Sequence, residues 1–312
     1  MKQLIRLTEK VLIPDFLVRL GIQKLLRERL SGLSLDNCEK QLMLQDQFLA
    51  ALNQSNIAEV PEKANQQHYE VPVNFFKKVL GPHLKYSCGY WDSTTSSLAV
   101  SESEALKRTC ENADLLNSQE ILELGCGWGS LSLWMAEHYP DSVITSVSNS
   151  ATQKAFIEAR VSERKFKNLK VLTSDMNGYE PNQSFDRIVS VEMFEHMRNW
   201  PKLFSKVSGW MKEDAKFLMH VFCHRMTPYF FEAFDDDDWM ARYFFSGGIM
   251  PSDQLPYLVP SELKVEKHWR WDGTHYQKTS LTWLNQMDQA KEELFPVFKE
   301  TYGRDSEIWW QR

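Results

Sequence analysis

The part of the sequence that says most about the fold reads Ile121-Leu122-Glu123-Leu124-Gly125-Cys126-Gly127-Trp128-Gly129. A short apolar run ends in a glycine-rich turn, and residues 130–138 continue with helical periodicity. Gly125 and Gly127 lack a Cβ and can adopt a positive φ, so a ligand can lie directly against the backbone. The free N–H groups at the start of the following helix favour a negatively charged group. We therefore expect a strand, a tight turn and a helix, with a ligand site between them.

Short apolar runs alternate with helical segments on both sides of this turn. The runs are Ile121–Leu124, Val143–Val147, Leu169–Thr173, Phe185–Val191 and Phe217–Phe222. The segments with helical periodicity are residues 130–138, 152–165 and 199–212. Strands that alternate with helices predict a parallel sheet with crossover helices. The fold class is therefore α/β, with a doubly wound, Rossmann-like core over residues 105–222.

The regions outside this core have other patterns. Leucines recur at helical spacing near the N-terminus, turn formers follow, and an aromatic-rich segment comes after the core. The expected units are a helical cap at 1–64, a connector at 65–104, a helical insertion at 223–262, and a C-terminal part at 263–312. In the last unit we expect a strand at Leu263–Trp271 and an amphipathic helix from about residue 278, which together complete the core.

Composition and charge exclude several classes of function. Of the 312 residues, 43% are apolar and 25% are charged, which excludes a disordered or fibrous chain. The 36 lysines and arginines are outnumbered by 42 acidic residues, and the net charge is −6. A mildly acidic chain is poorly suited to hold nucleic acid or anionic lipid by charge alone. We expect neither nucleic acid nor a lipid surface as a stable partner.

The cysteines and the hydropathy pattern indicate in which cellular compartment the chain is expected. Five cysteines form an odd set without a CxxC motif, so neither a disulfide framework nor a metal site is expected. No run reaches the ~18 apolar residues of a membrane span. The first residues carry charges and lack a cleavable apolar signal. A reduced, cytoplasmic compartment without membrane insertion is the expectation.

Two kinds of nucleotide fit the glycine turn. A dinucleotide site favours the spacing GxGxxG and an acidic residue about 20 positions later. Here the spacing is GxGxG, and the second strand is followed by Ser148-Asn149-Ser150 without an acid. Glu123 lies two residues before Gly125, where a carboxylate can meet the ammonium group of a methionine moiety. A purely structural turn remains the alternative.

Five further stretches accompany the turn in a fixed order. They are Tyr86–Trp91, Ser148–Gln153, Ser190–Met197, Arg242–Ser252 and His275–Trp283. With them the chain resembles class I S-adenosylmethionine-dependent methyltransferases. More narrowly, it resembles the group that unites coclaurine-type N-methyltransferases with cyclopropane-fatty-acid synthases. The resemblance extends from about residue 65 to the end and, more faintly, through the N-terminal helices.

The resemblance implies S-adenosylmethionine as cofactor and S-adenosylhomocysteine as product. It places Ser87, in the connector, at the sulfonium end of the cofactor. Gly125 and Gly127 pass under its methionine part, and Val191 closes the site at the end of the fourth strand.

The same resemblance implies how the nucleoside is held. Asn149 and Gln153 take the role that an acid has in many methyltransferases, since their amides can bind the ribose hydroxyls. Asp175 and Met176, after the third strand, flank the adenine.

The C-terminus departs from the family pattern. Members of the group continue past the final helix into a last strand, whereas this sequence stops at Trp309-Trp310-Gln311-Arg312. We expect that strand to be missing, either through truncation or because a neighbouring chain fills the edge of the sheet. A homodimer therefore remains open.

Methyl transfer to an amine requires a nucleophile with a free lone pair, and hence a base. If a helix begins after the fourth strand, Glu192, Glu195 and His196 fall at i, i+3 and i+4 on one face. The carboxyl ends of the strands are where ligands bind in α/β sheets. We interpret Glu195 and His196 as the deprotonating pair, and Glu192 as the residue that orients the amine or the cofactor.

A second chemistry uses the same pocket. Cyclopropane synthases methylate an alkene and then remove a proton with a bound bicarbonate, and the resemblance aligns Cys88, Glu195, His220 and Tyr276 with that bicarbonate cage. The additional carboxylate of Glu192 and the lack of a basic surface favour the amine. A cofactor-binding relative without turnover is a third hypothesis.

The insertion supplies candidate substrate contacts. Tyr243 and Phe244 belong to its aromatic set, which is typical of a packed lid and also of a wall over a flat or cationic substrate. The sequence thus predicts an N-methyltransferase for a small, aromatic or alkaloid-like amine. The alternative is an enzyme that modifies unsaturated acyl chains of phospholipids.

Overall fold

A parallel sheet of five strands forms the centre of the molecule. The computed structural model describes residues 2–10, 12–33, 36–60, 71–232 and 238–311. The strands of the sheet are β1 (Glu120–Leu124), β2 (Val143–Ser148), β3 (Leu169–Thr173), β4 (Phe185–Val191) and β5 (Met211–His220). Their order is β3-β2-β1-β4-β5, and every neighbouring pair is parallel. The predicted α/β class is confirmed. β1 and β2 are each one residue longer than predicted, and β5 begins six residues before the predicted start and ends two residues before the predicted end.

Helices lie before, between and after these strands. Before the sheet come α1 (Lys2–Glu9), α2 (Asp15–Gly32), α3 (Cys38–Gln54), α4 (Val73–Val79) and α5 (Leu98–Asn112). The crossovers are α6 (Ser130–His138), α7 (Ala151–Arg164) and α8 (Trp200–Gly209). After the sheet come β6 (Tyr229–Phe230), α9 (Trp239–Tyr243), β7 (Ile249–Met250), α10 (Leu255–Leu258), α11 (Gly273–Gln289), α12 (Lys291–Tyr302) and α13 (Ser306–Gln311).

The two faces of the sheet bury alternate residues of each strand. Ile121 of β1 packs in a cluster with Leu106 of α5 and Met135 of α6. Its neighbour Leu122 faces the other way, into a cluster that contains Trp200 of α8. Because successive side chains of a strand point to opposite faces, a strand covered on both sides is apolar throughout. The crossover helices therefore cover both faces, and the loops at the carboxyl ends of the strands remain for function.

The N-terminal cap is helical, as predicted, but only part of it packs on the core. Phe48 and Leu52 of α3 are buried in the cluster beneath α8. The helix α2 has no buried residue, and Phe16 and Leu20 are 63% and 56% exposed. The predicted boundary between residues 64 and 65 lies outside the described residues. No helix in the described part of the chain is both long and apolar enough to span a bilayer.

The predicted strand Leu263–Trp271 is wrong. This segment is not a strand in the structure, and a cleft of about 1300 Å³ lies between it and the outer edge of β5. Side chains rather than a backbone ladder hold it, since Arg270 and His268 both contact the carboxylate of Asp253. A strand forms only where a neighbouring backbone is within hydrogen-bond distance, and the cleft prevents that here.

The predicted final helix is interrupted. Helix α11 begins at Gly273, five residues before the expected start, and Asp272 caps it by accepting a hydrogen bond from Thr274 N at 2.9 Å. The helical region then breaks at Ala290 and again at Gly303, whose φ is +55°.

The glycine turn has the backbone geometry that its sequence predicts. Gly125, Gly127 and Gly129 have φ values of +78°, +51° and +81°. A Cβ on Gly129 would lie 2.6 Å from Cγ1 of Ile157, whereas a Cβ on Gly127 would meet nothing within 4 Å. Gly129 therefore serves the packing of α6 against α7, and the space beside Gly127 is open.

Glu123 lies under this turn and is 4% exposed. Its Oε2 accepts hydrogen bonds from Ser146 Oγ at 2.8 Å and from Ser132 Oγ. Burial raises the pKa of the Glu123 carboxyl to about 7, although the two serines act in the opposite direction. A role for Glu123 in holding a methionine ammonium group stays a prediction.

We predict that Gly129→Ala destabilises the protein more than Gly127→Ala. Both alanines adopt a left-handed conformation at about 1–2 kcal/mol, and only the alanine at 129 must also displace Ile157, which adds about 1–3 kcal/mol. Urea unfolding of the two variants without added ligand measures the difference. Equal losses of unfolding free energy would contradict the assigned role of Gly129.

The buried Glu123 makes the stability depend on pH. The folded protein binds this proton more tightly than the unfolded chain, so the unfolding free energy falls as the pH rises from 4.5 through 7. The total loss is about 3 kcal/mol. The variant Glu123→Gln should lose this part of the pH dependence in urea unfolding between pH 4.5 and 8. Glu120→Gln is the control, because Glu120 lies on the same strand and forms a surface ion pair with Lys212. This variant should keep the pH dependence of the unfolding free energy. Identical curves for both variants would refute the prediction.

Candidate active site

The loop after β4 holds Glu192 in an unusual backbone conformation. Its φ is +51°, in the left-handed region that costs a residue with a side chain about 1–3 kcal/mol. Three hydrogen bonds maintain it. Glu192 N donates to His220 O at 2.8 Å, while the carboxylate accepts from Cys88 N at 2.8 Å and from Tyr276 Oη at 2.9 Å. Segments far apart in the sequence thus converge on one carboxylate.

The expected helix after β4 is wrong. Only Phe194–His196 turns, as a single 3₁₀ turn, and Glu192 lies before it. The three polar residues therefore do not share a helix face. The carboxylate of Glu195 accepts a hydrogen bond from Phe222 N at 2.7 Å, and the ring of His196 stacks on Phe245 with centroids 4.7 Å apart. Their roles as a deprotonating pair stay a prediction.

Glu195 is fully buried, and one of its oxygens is unsatisfied. The side chain is 0% exposed, and Oε2 has no hydrogen-bond partner among the described residues. Burial raises the pKa of Glu195 well above its usual value, and the negative charge of Glu192 adds to the rise. Desolvation also raises the pKa of Glu192, although the ammonium of Lys85 acts against it. A carboxyl group with a raised pKa and a free oxygen is suited to exchange a proton near neutral pH.

Three side chains near the two carboxyls, those of His220, Cys88 and Tyr276, are neutral. Burial and the charge of Lys85 lower the pKa of His220 to about 3, so its imidazole is uncharged. Burial raises the pKa of the Cys88 thiol to about 12, and it raises that of Tyr276 as well. Tyr276 therefore remains a phenol that can donate to Glu192. His220 packs edge-on against Trp271, with ring centroids 4.7 Å apart.

These residues line one end of the cleft beside β5. Cys88, Glu192, His220 and Tyr276 all contribute to the cavity of about 1300 Å³. Four of the predicted catalytic and substrate-pocket residues thus share one cavity. The bicarbonate role of Cys88, His220 and Tyr276 stays a prediction.

Gln153 is one of the predicted cofactor residues. It lies in the first turn of helix α7, after β2, and is 1% exposed. Its Oε1 accepts from Ser148 Oγ at 2.7 Å, and its Nε2 has no partner among the described residues. An unsatisfied buried donor fits a ligand with hydroxyl groups. Asn149 lies in the short connection between β2 and α7, and its contact with a ribose stays a prediction.

The other predicted cofactor residues have different surroundings. Asp175 is exposed, and its carboxylate accepts from Asn177 N at 3.0 Å. Met176 is 6% exposed and belongs to the apolar cluster beneath α8. Val191 ends β4, directly before Glu192. Their contacts with a nucleoside stay predictions.

The aromatic insertion packs on the loop after β4. Phe231, Ala241 and Phe245 form its own small buried cluster, with Phe244 beside Phe245 at 5.2 Å. Tyr243 packs on Trp239, with centroids 5.8 Å apart. The stacking of Phe245 on His196 joins the insertion to the loop after β4.

Sequence reasoning missed two residues that touch the site, Lys85 and Trp271. Lys85 stands two positions before Ser87 and is 3% exposed. The only signal in the sequence is its position beside the Tyr86–Trp91 motif, which does not reveal that a lysine is buried. Trp271 lies in the segment that was predicted to be a strand, where it would have been a sheet residue.

Comparisons with known proteins agree with this geometry. The chain is 34% identical over 304 residues to (S)-coclaurine N-methyltransferase of Thalictrum flavum subsp. glaucum, covering 97% of this chain and 84% of that protein. It is 30% identical over 241 residues to cyclopropane-fatty-acyl-phospholipid synthase of Escherichia coli K12, covering 77% of this chain and 60% of that one.

A solved structure extends the similarity to the fold. The crystal structure of coclaurine N-methyltransferase bound to N-methylheliamine and SAH matches with a TM-score of 0.95 at 31% identity, over 99% of this chain and 90% of that one. Together with the observed strand order, this match identifies the sheet as that of a class I methyltransferase.

The model of the mycolic acid cyclopropane synthetase family matches residues 58–309, which include the glycine turn, both buried glutamates and the cleft. The chain therefore belongs to the mycolic acid cyclopropane synthetase family.

Proposed function

We propose that the chain is an S-adenosylmethionine-dependent methyltransferase that methylates the nitrogen of a small amine. The observation that carries this proposal is the buried carboxyl pair. Glu195 presents an unsatisfied oxygen in a site where Glu192 supplies a second carboxylate. Such a pair attracts a cationic amine and can accept its proton. The relatives named coclaurine N-methyltransferase support the same class of acceptor.

The cofactor supplies an electrophilic methyl group on a sulfonium. The chain's own residues fit such a group at the glycine turn, because Gly127 is open on its ligand side and Gln153 Nε2 is unsatisfied. Ser87 lies on the connector, directly before Cys88, whose N–H donates to Glu192. The residues that hold the donor and those that hold the acceptor thus belong to adjacent loops.

The protein's part in the reaction is to hold the amine and take its proton. Glu192, fixed by Cys88 N and Tyr276 Oη, orients the ammonium form of the substrate. Glu195 accepts the proton, and the lone pair of the nitrogen becomes available for in-line attack. His196, whose ring stacks on Phe245, is the second member of the proposed deprotonating pair. The products are the methylated amine and S-adenosylhomocysteine.

Glu192 also argues against the acyl-chain alternative. The resemblance assigns Cys88, through its backbone, and Tyr276 to a bicarbonate cage. In the structure, Cys88 N and Tyr276 Oη both donate to the carboxylate of Glu192. The chain's own carboxylate thus occupies two of the donors that bicarbonate would use, which favours the amine.

The wall of the pocket favours an aromatic amine. Trp271 lines the same cleft as Glu192 and packs edge-on against His220. An aromatic ring in a cleft that also holds a carboxylate suits an acceptor that combines an aromatic ring with a cationic nitrogen. For Tyr243 and Phe244 of the insertion, a contact with this acceptor is part of the proposal.

The test is a labelled-methyl assay with S-adenosylmethionine, a panel of secondary and tertiary aromatic amines, and phospholipid vesicles with and without bicarbonate. We expect label in an amine without added bicarbonate. Glu195→Gln should lower kcat about 10²- to 10⁴-fold, since it removes the base. The affinity for S-adenosylmethionine should not change.

Glu180→Gln is the matched control, because its carboxylate is exposed and forms an ion pair with Lys206 on helix α8; it should keep full activity. Label that enters only the vesicles, and only with bicarbonate, would overturn the proposal in favour of acyl-chain modification. Full turnover of Glu195→Gln at every pH would remove Glu195 from the mechanism.

A further inference from the structure

Lys85 is an unusual residue in this molecule. Within the described part of the chain, it is the only lysine or arginine that is buried, with 3% of its surface exposed. Removing an ammonium group from water costs several kcal/mol unless opposite charge and hydrogen bonds compensate for it. The surroundings of Lys85 therefore indicate what the charge is for.

The ammonium of Lys85 is tied to the connector loop. Its Nζ donates to Ser87 Oγ at 2.5 Å and to Cys88 O at 2.8 Å. The backbone of the same residue is held from the other side, because Lys85 N donates to Glu102 Oε1 at 3.2 Å. Glu102 also accepts from Gly81 N and His83 N. The loop is thus clamped between Glu102 on helix α5 and its own lysine.

Four titratable groups face the ammonium. Burial lowers the pKa of Lys85, and the charges of Glu192 and Glu102 act against that, while burial keeps the Cys88 thiol and the His220 imidazole uncharged. Glu102 is engaged by three backbone N–H groups. On the side of the site, Cys88 joins Lys85 to Glu192, because Cys88 O accepts from Lys85 Nζ and Cys88 N donates to the Glu192 carboxylate.

We propose that Lys85 is a positioning residue: its ammonium holds the Ser87–Cys88 turn against Glu192 and supplies the positive charge that keeps the Glu192 carboxylate ionised next to Glu195. Two buried carboxyls side by side do not both ionise readily. Lys85 biases this pair, so that Glu192 stays ionised and Glu195 is the carboxyl that takes up the proton released by the amine. The role of Lys85 in catalysis rests on the proposed function. Its effect on the protonation of Glu192 and Glu195 does not.

The geometry connects this charge to both substrates. Cys88 N is one of the two donors to Glu192, and Cys88 O is an acceptor for Lys85. Loss of the ammonium loosens the turn that presents Ser87 and also leaves Glu192 without its counter-ion. Charge and hydrogen bonding can be separated by substitution, since Lys85→Gln keeps a donor without charge and Lys85→Arg keeps the charge.

The experiment is a carbon-13 NMR titration of the glutamate carboxyls in the whole protein, with Glu192 assigned from the spectrum of Glu192→Gln. We expect the proton affinity of Glu192 to rise at least 10-fold in Lys85→Gln. Lys85→Arg should restore most of the wild-type titration. The matched control is Lys212→Met, which removes a lysine that pairs with Asp186 and Glu120 at the opposite end of the sheet; it should leave Glu192 unchanged.

A folded Lys85→Gln variant with an unchanged Glu192 titration would overturn the inference. If Lys85→Gln does not fold, the nitrogen-15 NMR signal of Lys85 Nζ in the wild-type protein decides: an ammonium that stays charged over the pH range in which Glu192 titrates supports the inference, and a neutral amine in that range contradicts it. In methyl-transfer assays, the acid limb of the plot of kcat/KM against pH should shift to higher pH in Lys85→Gln. A purely structural role of Lys85 would not require this shift. If no amine is methylated at all, the proposed function fails, and the carboxyl titration still decides the role of Lys85.

Discussion

The site depends on the cost of burying two carboxyl groups next to each other. Glu195 has no exposed surface, and Glu192 is held in a left-handed conformation by bonds from the loop that contains Cys88 and from helix α11. Such a pair is stable only if opposite charge, bound protons and hydrogen-bond donors compensate for its burial. Lys85 and Tyr276 provide that arrangement, and both come from segments outside the sheet.

The sheet determines where these groups meet. Because β1, β2, β4 and β5 are parallel, their carboxyl ends lie along one edge, and the loops after them face a common space. The turn after β1 offers bare backbone to a ligand at Gly127, and the loop after β4 offers carboxylates. A methyl donor bound by one loop and an amine bound by the next are therefore neighbours because of the strand order.

Local sequence patterns were sufficient to predict the parallel sheet and the positive φ of Gly125 and Gly127, since both follow from periodicity and from the absence of a Cβ. They were insufficient where contacts between distant segments determine the conformation or burial of a residue. Glu192 does not begin a helix, because bonds from Cys88 and Tyr276 hold it in another conformation. The burial of Lys85 depends on the fold of the connector, and Leu263–Trp271 lacks the adjacent backbone that a strand requires. Periodicity contains no information on such distant partners.

The most direct test of the central claim is a crystal structure of the protein with S-adenosylhomocysteine and a secondary aromatic amine. The account predicts the nucleoside product along the turn at Gly125 and Gly127, with its sulfur toward the loop of Glu192 and Glu195 and the amine nitrogen between them. A turn without ligand, or an amine bound away from both carboxylates, would contradict it.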